Sequence, residues 1–266
     1  PYRKNCRDLR RIAQSPESVL HKPLLTVEEL PASSRRYPFV GFSPDRECGK
    51  EILEFHDLSK TENGEKLFQF GDLRLERTDK VAFLAENELA VTALFKIIAG
   101  EDEATTGTYK WGGTTSMSYF PKDNGAFFDD CDLNLIEWLR QYSPTEDTET
   151  FLRGFLGRML FSGDEVFKAA KVLSGGERVR CMLSRMMMYG SNVLMLDQPT
   201  NHLDLESITA VNDGLSNFPG NVLFSSYDHQ FIQTVADRIM EIKDGKLIDK
   251  MMSYDDYLEW KAANKL

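Results

Sequence analysis

Asn192 to Asp204 reads NVLMLDQPTNHLD, an apolar run that stops on an acid, Asp197. A carboxylate at the C-terminal end of a buried strand is placed to hold a magnesium ion or its water. The next residue is Gln198. A glutamate there would accept the proton of an attacking water, whereas a glutamine can hydrogen-bond water but cannot take its proton. Upstream, Val172 to Cys181 reads VLSGGERVRC. Ser174, Gly175 and Gly176 stand just before Val179, Met182, Leu183 and Met186, which recur at helical spacing. A hydroxyl and closely approachable backbone N–H groups at a helix start suit a phosphate, here one held mainly by another surface.

The segment KVAFLAENELAVTALFKIIAG holds a short buried strand, Val81 to Leu84, a loop from Ala85 to Ala90, and a helix, Val91 to Ala99, ended by Gly100. Strand, loop and helix in that order aim free N–H groups at an anion. The usual phosphate loop, GxxxxGK followed by Ser or Thr, adds glycines for tight wrapping and a lysine for the outer phosphates. Aligned on Thr92, this chain has Ala85 and Ala90 at the glycines and Val91 at the lysine, with Asn87 and Glu88 inside the loop. A β-carbon at 85 and 90 crowds a backbone meant to curl round phosphate. The missing lysine removes an ion contact worth about 4 kcal/mol before desolvation. Two readings stay open: Thr92 and Asp197 still hold magnesium beside a bound nucleotide, or this segment is scaffold. Tyr227, in SSYDHQF, stands where a histidine would contact the terminal phosphate. His229, two residues on, reads as structural.

The elements that must position these groups follow from periodicity. EILEFHDLSK alternates from Ile52 to Leu58 as a strand, and GEKLFQFGDLRLERTDK offers two more, with a turn at Thr78–Asp79. GTYKWGG and TSMSYFP are short strands, and NVLFSSYD, Asn221 to Asp228, is another. NLIEWLRQY and FLRGFLGRML read as helical, the second with Leu152, Phe155, Leu156 and Met159 on one face, so residues 125–170 form a helical insert. DRIMEIKDGKLIDKM reads as a hairpin turned at Asp244–Gly245, and SYDDYLEWKAANKL as a terminal helix. Five prolines between Pro16 and Pro44 break up residues 1–45, a leader in which SSRRYPFVGF, Ser33 to Phe42, reads as an extended strap.

The chain has 266 residues, 41% of them hydrophobic, enough for one large α/β domain. A net charge of -10 disfavours a broad nucleic-acid surface. Residues 1–22 invert the sign, with six basic side chains against two acidic ones. That basic leader suits either a contact with RNA or an acidic partner, or a solvated linker. No apolar run reaches membrane-spanning length, and no apolar segment follows the basic start as in a signal peptide. A first residue other than Met is expected of a piece of a longer protein. Cys6, Cys48, Cys131 and Cys181 form no CxxC and read as free thiols in a reducing, cytoplasmic setting.

LSGGE before a helix, then PTNHLDLES and the closing YDDYL, resemble the second ATP-binding cassette of the ABC-F family, soluble tandem ATPases. ITAVNDGL, Ile208 to Leu215, and SYFPKDN, Ser118 to Asn124, are most similar to one bacterial branch of it. The resemblance covers residues 51–266, with the leader similar to the linker between two cassettes. It implies an ABC-type P-loop NTPase-like α/β core with a mostly parallel sheet, an antiparallel β-subdomain and an inserted helical subdomain, over residues 46–266. It implies ATP and Mg2+ as cofactors and the first cassette of the same full-length protein as partner. Ribosome or RNA association is implied as well, and a membrane partner is not. In the family, two cassettes enclose two ATP molecules, each between one phosphate loop and the other cassette's signature. Leu173, Ser174, Gly175, Gly176 and Glu177 match that signature, Asn201, His202, Leu203 and Asp204 the D-loop, Asp197 the metal-holding acid and Thr92 the metal-holding hydroxyl.

The departures fall on one site. Besides Ala85, Ala90 and Val91, Lys122 stands at the Q-loop glutamine, Gln198 at the catalytic glutamate and Tyr227 at the switch histidine. The adenine-stacking aromatic expected near Glu62 is absent, leaving Phe68 or Phe70 as candidates. The implied protein is asymmetric: this chain's signature serves the partner's phosphate loop, while its own loop is structural or empty. Two other classes compete. One is a pseudo-ATPase that keeps the cassette shape to bind protein or RNA. The other is a transporter's ATP-binding subunit, disfavoured by PTNHLD and the basic leader.

Overall fold

The computed structural model describes residues 37–143 and 147–265. The basic leader and the start of the strap, residues 33–36, lie outside them. Residues 37–45 carry no helix or strand, yet they bury Val40 and Phe42, the latter edge-on to Phe218 at 6.1 Å. The Phe39 amide donates to the Arg158 carbonyl at 2.7 Å, and that of Asp45 to Gly190 at 2.8 Å.

Two sheets organise the remainder. The first is antiparallel: β1 (Glu51–Glu62) pairs with β2 (Glu65–Phe70), β3 (Leu73–Glu76) and β5 (Thr106–Trp111). The second has six strands in the order β10-β9-β4-β8-β7-β6. Its members are β4 (Lys80–Ala85), β6 (Met117–Phe120), β7 (Val193–Asp197), β8 (Asn221–Ser225), β9 (Arg238–Lys243) and β10 (Lys246–Lys250). Every pair is parallel except the β9–β10 hairpin, whose turn places Asp244 and Gly245 at positive φ.

The central strands are apolar throughout because both faces are covered. Along β7, Leu194 and Leu196 join one core and Val193 and Met195 the other. The second core holds the antiparallel sheet and α1 (Glu88–Ala99). The first holds the helical insert, made of α2 (Gly125–Phe128), α3 (Leu135–Arg140) and α4 (Glu149–Arg158). With it pack α5 (Gly175–Met188), α6 (Leu205–Ser216), α7 (His229–Val235) and Tyr257 of the last helix, α8 (Tyr254–Ala263). The architecture is the expected α/β core with an antiparallel β-subdomain and a helical subdomain inserted before the signature.

One boundary departs from expectation. The loop expected over Ala85 to Ala90 is much shorter, since α1 starts at Glu88. Asn87 caps it, its side chain accepting from the Leu89 amide at 3.0 Å. An acid in the first turn and a strong helix former at Ala90, where a glycine would cost about 1 kcal/mol, extend the helix backward.

Candidate functional site

Parallel strands gather their C-terminal ends at one edge of a sheet, where ligand crevices form in open α/β folds. Here Ala85, Asp197 and Ser225 end β4, β7 and β8 at that edge. A cleft of about 200 Å³ opens there, and Glu88, Val91, Asp197, Gln198, Tyr227 and Tyr254 are among its walls.

Asp197 is 1% exposed. Its Oδ2 accepts from the Thr92 hydroxyl at 2.7 Å and its Oδ1 from the Ser225 hydroxyl at 2.6 Å. Burial raises its pKa, and those two hydrogen bonds oppose the rise. The two expected metal-holding groups are thus adjacent and already bonded to each other. Ser225 had no signal in the sequence beyond its place at a strand end. Gln198 follows with φ 54, a left-handed backbone that costs a non-glycine residue about 1 kcal/mol or more. Its amide donates to Ser225 Oγ at 3.0 Å, and its side-chain Oε1 is buried without a hydrogen-bond partner.

Val91 is 3% exposed and belongs to the core around α1. Glu88 faces the cleft, and neither of its carboxylate oxygens is left alone. Oε1 accepts from Lys122 Nζ at 2.6 Å, and Oε2 from the Tyr227 hydroxyl at 2.9 Å. These partners hold the Glu88 pKa below the usual carboxylate range, Lys122 contributing most. Glu88 of the loop and two of the departures, Lys122 and Tyr227, therefore form one cluster. Lys243 lies 3.7 Å from Glu86 at the same edge. Among the described residues, neither lysine is spare.

The signature is built differently. Ser174 caps α5, and Glu177 returns the contact: the Ser174 amide donates to Glu177 Oε2 at 2.8 Å, and the Glu177 amide to Ser174 Oγ at 3.4 Å. Lys168 Nζ reaches Glu177 Oε1 at 3.0 Å. Burial would raise the Glu177 pKa, but the Ser174 and Lys168 bonds dominate and draw it down to about 2. Leu173 is buried beneath this turn. Gly175 and Gly176 lie against the D-loop: a Cβ on Gly176 would meet the His202 carbonyl oxygen at 2.8 Å. His202 has φ 64, Asn201 is exposed, Leu203 packs on the core, and Asp204 caps α6 through the Ser207 amide at 2.8 Å. Signature and D-loop thus form one packed unit.

Other candidates leave the site. Phe68 and Phe70 are buried and stacked on each other at 5.1 Å, so neither ring offers a face to adenine. Their alternation with polar neighbours is that of core residues in β2. His229 pairs with Asp255 at 3.0 Å and packs on Tyr254, consistent with a structural role.

Residues 71–201 match the family model described as ABC transporter. The chain is 58% identical over 247 residues to "Uncharacterized ABC transporter ATP-binding protein YkpA" of Bacillus subtilis, covering 93% of this chain and 45% of that protein. It is 38% identical over 238 residues to "Probable ATP-binding protein YbiT" of Escherichia coli O157:H7, covering 90% and 45%. It is 29% identical over 224 residues to "Energy-dependent translational throttle protein EttA" of Escherichia coli K12, covering 82% and 40%. The chain therefore spans less than half the length of these curated relatives. Among solved structures, a dimeric post-hydrolysis state of the ATP-binding cassette MJ0796 with ADP and Pi superposes with a TM-score of 0.65. That match has 15% identity and covers 76% of this chain and 99% of that one. At that identity the likeness speaks for the fold alone. Among the described residues no helix is long and apolar enough to cross a membrane.

Proposed function

The chain carries an ABC ATP-binding cassette domain, and from that premise we propose that it is the second cassette of an ABC-F type tandem ATPase, with an inactive nucleotide site and a working signature. One observation carries this reading: the two halves of the nucleotide chemistry are in opposite condition within one chain. At its own loop the lysine position is a buried valine, the helix start is capped by Asn87, and Glu88 has both oxygens engaged. Phosphates do not fit there. Two β-carbons stand where the backbone would wrap them, a carboxylate faces them, and each nearby lysine is already beside a glutamate.

The signature, by contrast, keeps its serine, its two glycines and a reciprocal cap. A turn preserved in that form serves nucleotide held by another phosphate loop, that of a first cassette. Gln198, lacking a base, removes hydrolysis from this chain's own site a second time. Work on the ribosome in translation is the accompanying proposal, supported by the ABC-F resemblance and by the name of EttA.

Calorimetric titration of Mg-ATP into this chain tests the reading. No saturable binding up to millimolar nucleotide is expected, with partial recovery in Val91→Lys. Micromolar binding by the unaltered chain overturns it. In the two-cassette protein, Ser174→Arg should abolish turnover while Asp197→Ala leaves most of it. The reverse pattern would place the working site on this chain's own loop.

A further inference from the structure

We propose that Glu88 is a built-in anion for this cassette, tying the loop that leads into the helical insert and the loop after β8 to the start of α1 without nucleotide. The inference rests on the reading that phosphates are not held here, and adds what takes their place. Lys122 lies between the end of β6 at Phe120 and the start of α2 at Gly125, so it stands on the chain's way into the insert. Tyr227 lies between the end of β8 at Ser225 and Asp228, which caps α7. Each donates to a different oxygen of one carboxylate, at 2.6 and 2.9 Å.

Tyr227 is 66% exposed. Little apolar packing fixes that ring, so its hydroxyl bond to Glu88 sets its position. Glu88 is in the first turn of α1, where a negative charge is favoured by the helix dipole. A single exposed ion pair stabilises little. Two partners on segments far apart in sequence, meeting at one carboxylate, give the contact its effect. The loops that a bound anion would draw together are already together.

Amide hydrogen exchange on the full chain tests this, with residues 193–197 of the buried β7 as internal reference. In Glu88→Ala, exchange at residues 122–128 and 226–228 should rise about two- to tenfold while the reference is unchanged. Tyr227→Phe should raise it at 226–228 only. Unchanged exchange at both loops in Glu88→Ala overturns the proposal. If that variant accelerates the reference as well, the reversed pair, Glu88→Lys with Lys122→Glu, decides. Protection regained at 122–128 supports the tether, and protection not regained overturns it. Mg-ATP added to the unaltered chain should change neither loop. A nucleotide-dependent change there would sink the inactive-site reading instead, a result separate from the Glu88→Ala comparison.

Discussion

Thr92 and Asp197, 105 residues apart, are joined hydroxyl to carboxylate at 2.7 Å, while Ser225 takes the other oxygen. The acid is buried and its pKa is raised, with desolvation the main cause. A raised carboxylate pKa costs stability as pH climbs from the unfolded value through the folded one, because the unfolded chain releases its proton first. Asp197→Asn should therefore leave the urea midpoint at pH 7 unchanged or raise it. It should also flatten the gain in stability on acidification from pH 7 toward 4. An unfolding free energy lowered by more than about 1 kcal/mol would show the charge to be favourable where it sits.

Glu177 has the opposite sign. Its pKa is drawn down to about 2 from an ordinary 4.5. Its contribution is fully present above pH 4.5 and fades as pH falls toward 2. Glu177→Gln should weaken the acid-limb slope of a pH–stability curve, and Ser174→Ala should cost about 1 kcal/mol through the lost cap. An unaltered acid limb in Glu177→Gln would remove the capping box from the energetics of the signature.

Glycines in two helices make a contrast. A Cβ on Gly176 would meet a backbone oxygen of His202 at 2.8 Å, whereas one on Gly154 in α4 would meet nothing within 4 Å. Alanine is the better helix former at both positions. At Gly176 the steric term wins: Gly176→Ala should destabilise by about 1–3 kcal/mol, and Gly154→Ala should stabilise by about 0.5–1 kcal/mol. Denaturant titration of both variants checks the pair. Equal effects would mean that the D-loop is not packed against the signature.

Arg238 joins the two sheets' connections at the opposite end of β9 from the cleft. It contacts Asp249 through two nitrogens, at 2.9 and 2.6 Å, and Asp79 through a third at 2.7 Å. Removing Arg238 strands the buried Asp79 and leaves the half-buried Asp249 without its partner. Arg238→Ala should cost about 3–5 kcal/mol in urea unfolding. Arg238→Lys should recover only part, since an ammonium cannot reproduce the planar fork. Full recovery by lysine would mean that charge alone matters here.

The strands around the cleft were legible because β7 and β8 are apolar without interruption and stop on polar groups. The signature helix was legible from its apolar spacing and its Ser-x-x-Glu start. The beginning of α1 was not. Aligning Ala85 to Thr92 on a glycine-rich template imposed a loop that these residues do not favour, while Asn87 and Ala90 signal an early helix. The Glu88 cluster was beyond reach for another reason. Lys122 and Tyr227 lie 34 and 139 positions from it, and only the sheet order brings them together. Read singly, each looked like a loss. The opposite charges of Glu88 and Lys122 were the one available hint. Phe68 and Phe70 failed as adenine contacts because aromatic type says nothing about which way a strand faces.

Gly214 in α6 has a further consequence. A Cβ there would come within 2.7 Å of the Val40 side chain and 2.8 Å of its carbonyl oxygen. Helix and strap meet at backbone distance, with only the buried, β-branched Val40 side chain and its carbonyl against the glycine. A force applied to the strap at residues 37–42 meets this contact directly after the Phe39–Arg158 hydrogen bond. It is then delivered to α6, the helix that Asp204 of the D-loop caps. Position 214 is in that sense the fulcrum of a short lever, and an alanine there would unseat the strap before it altered any group in the cleft.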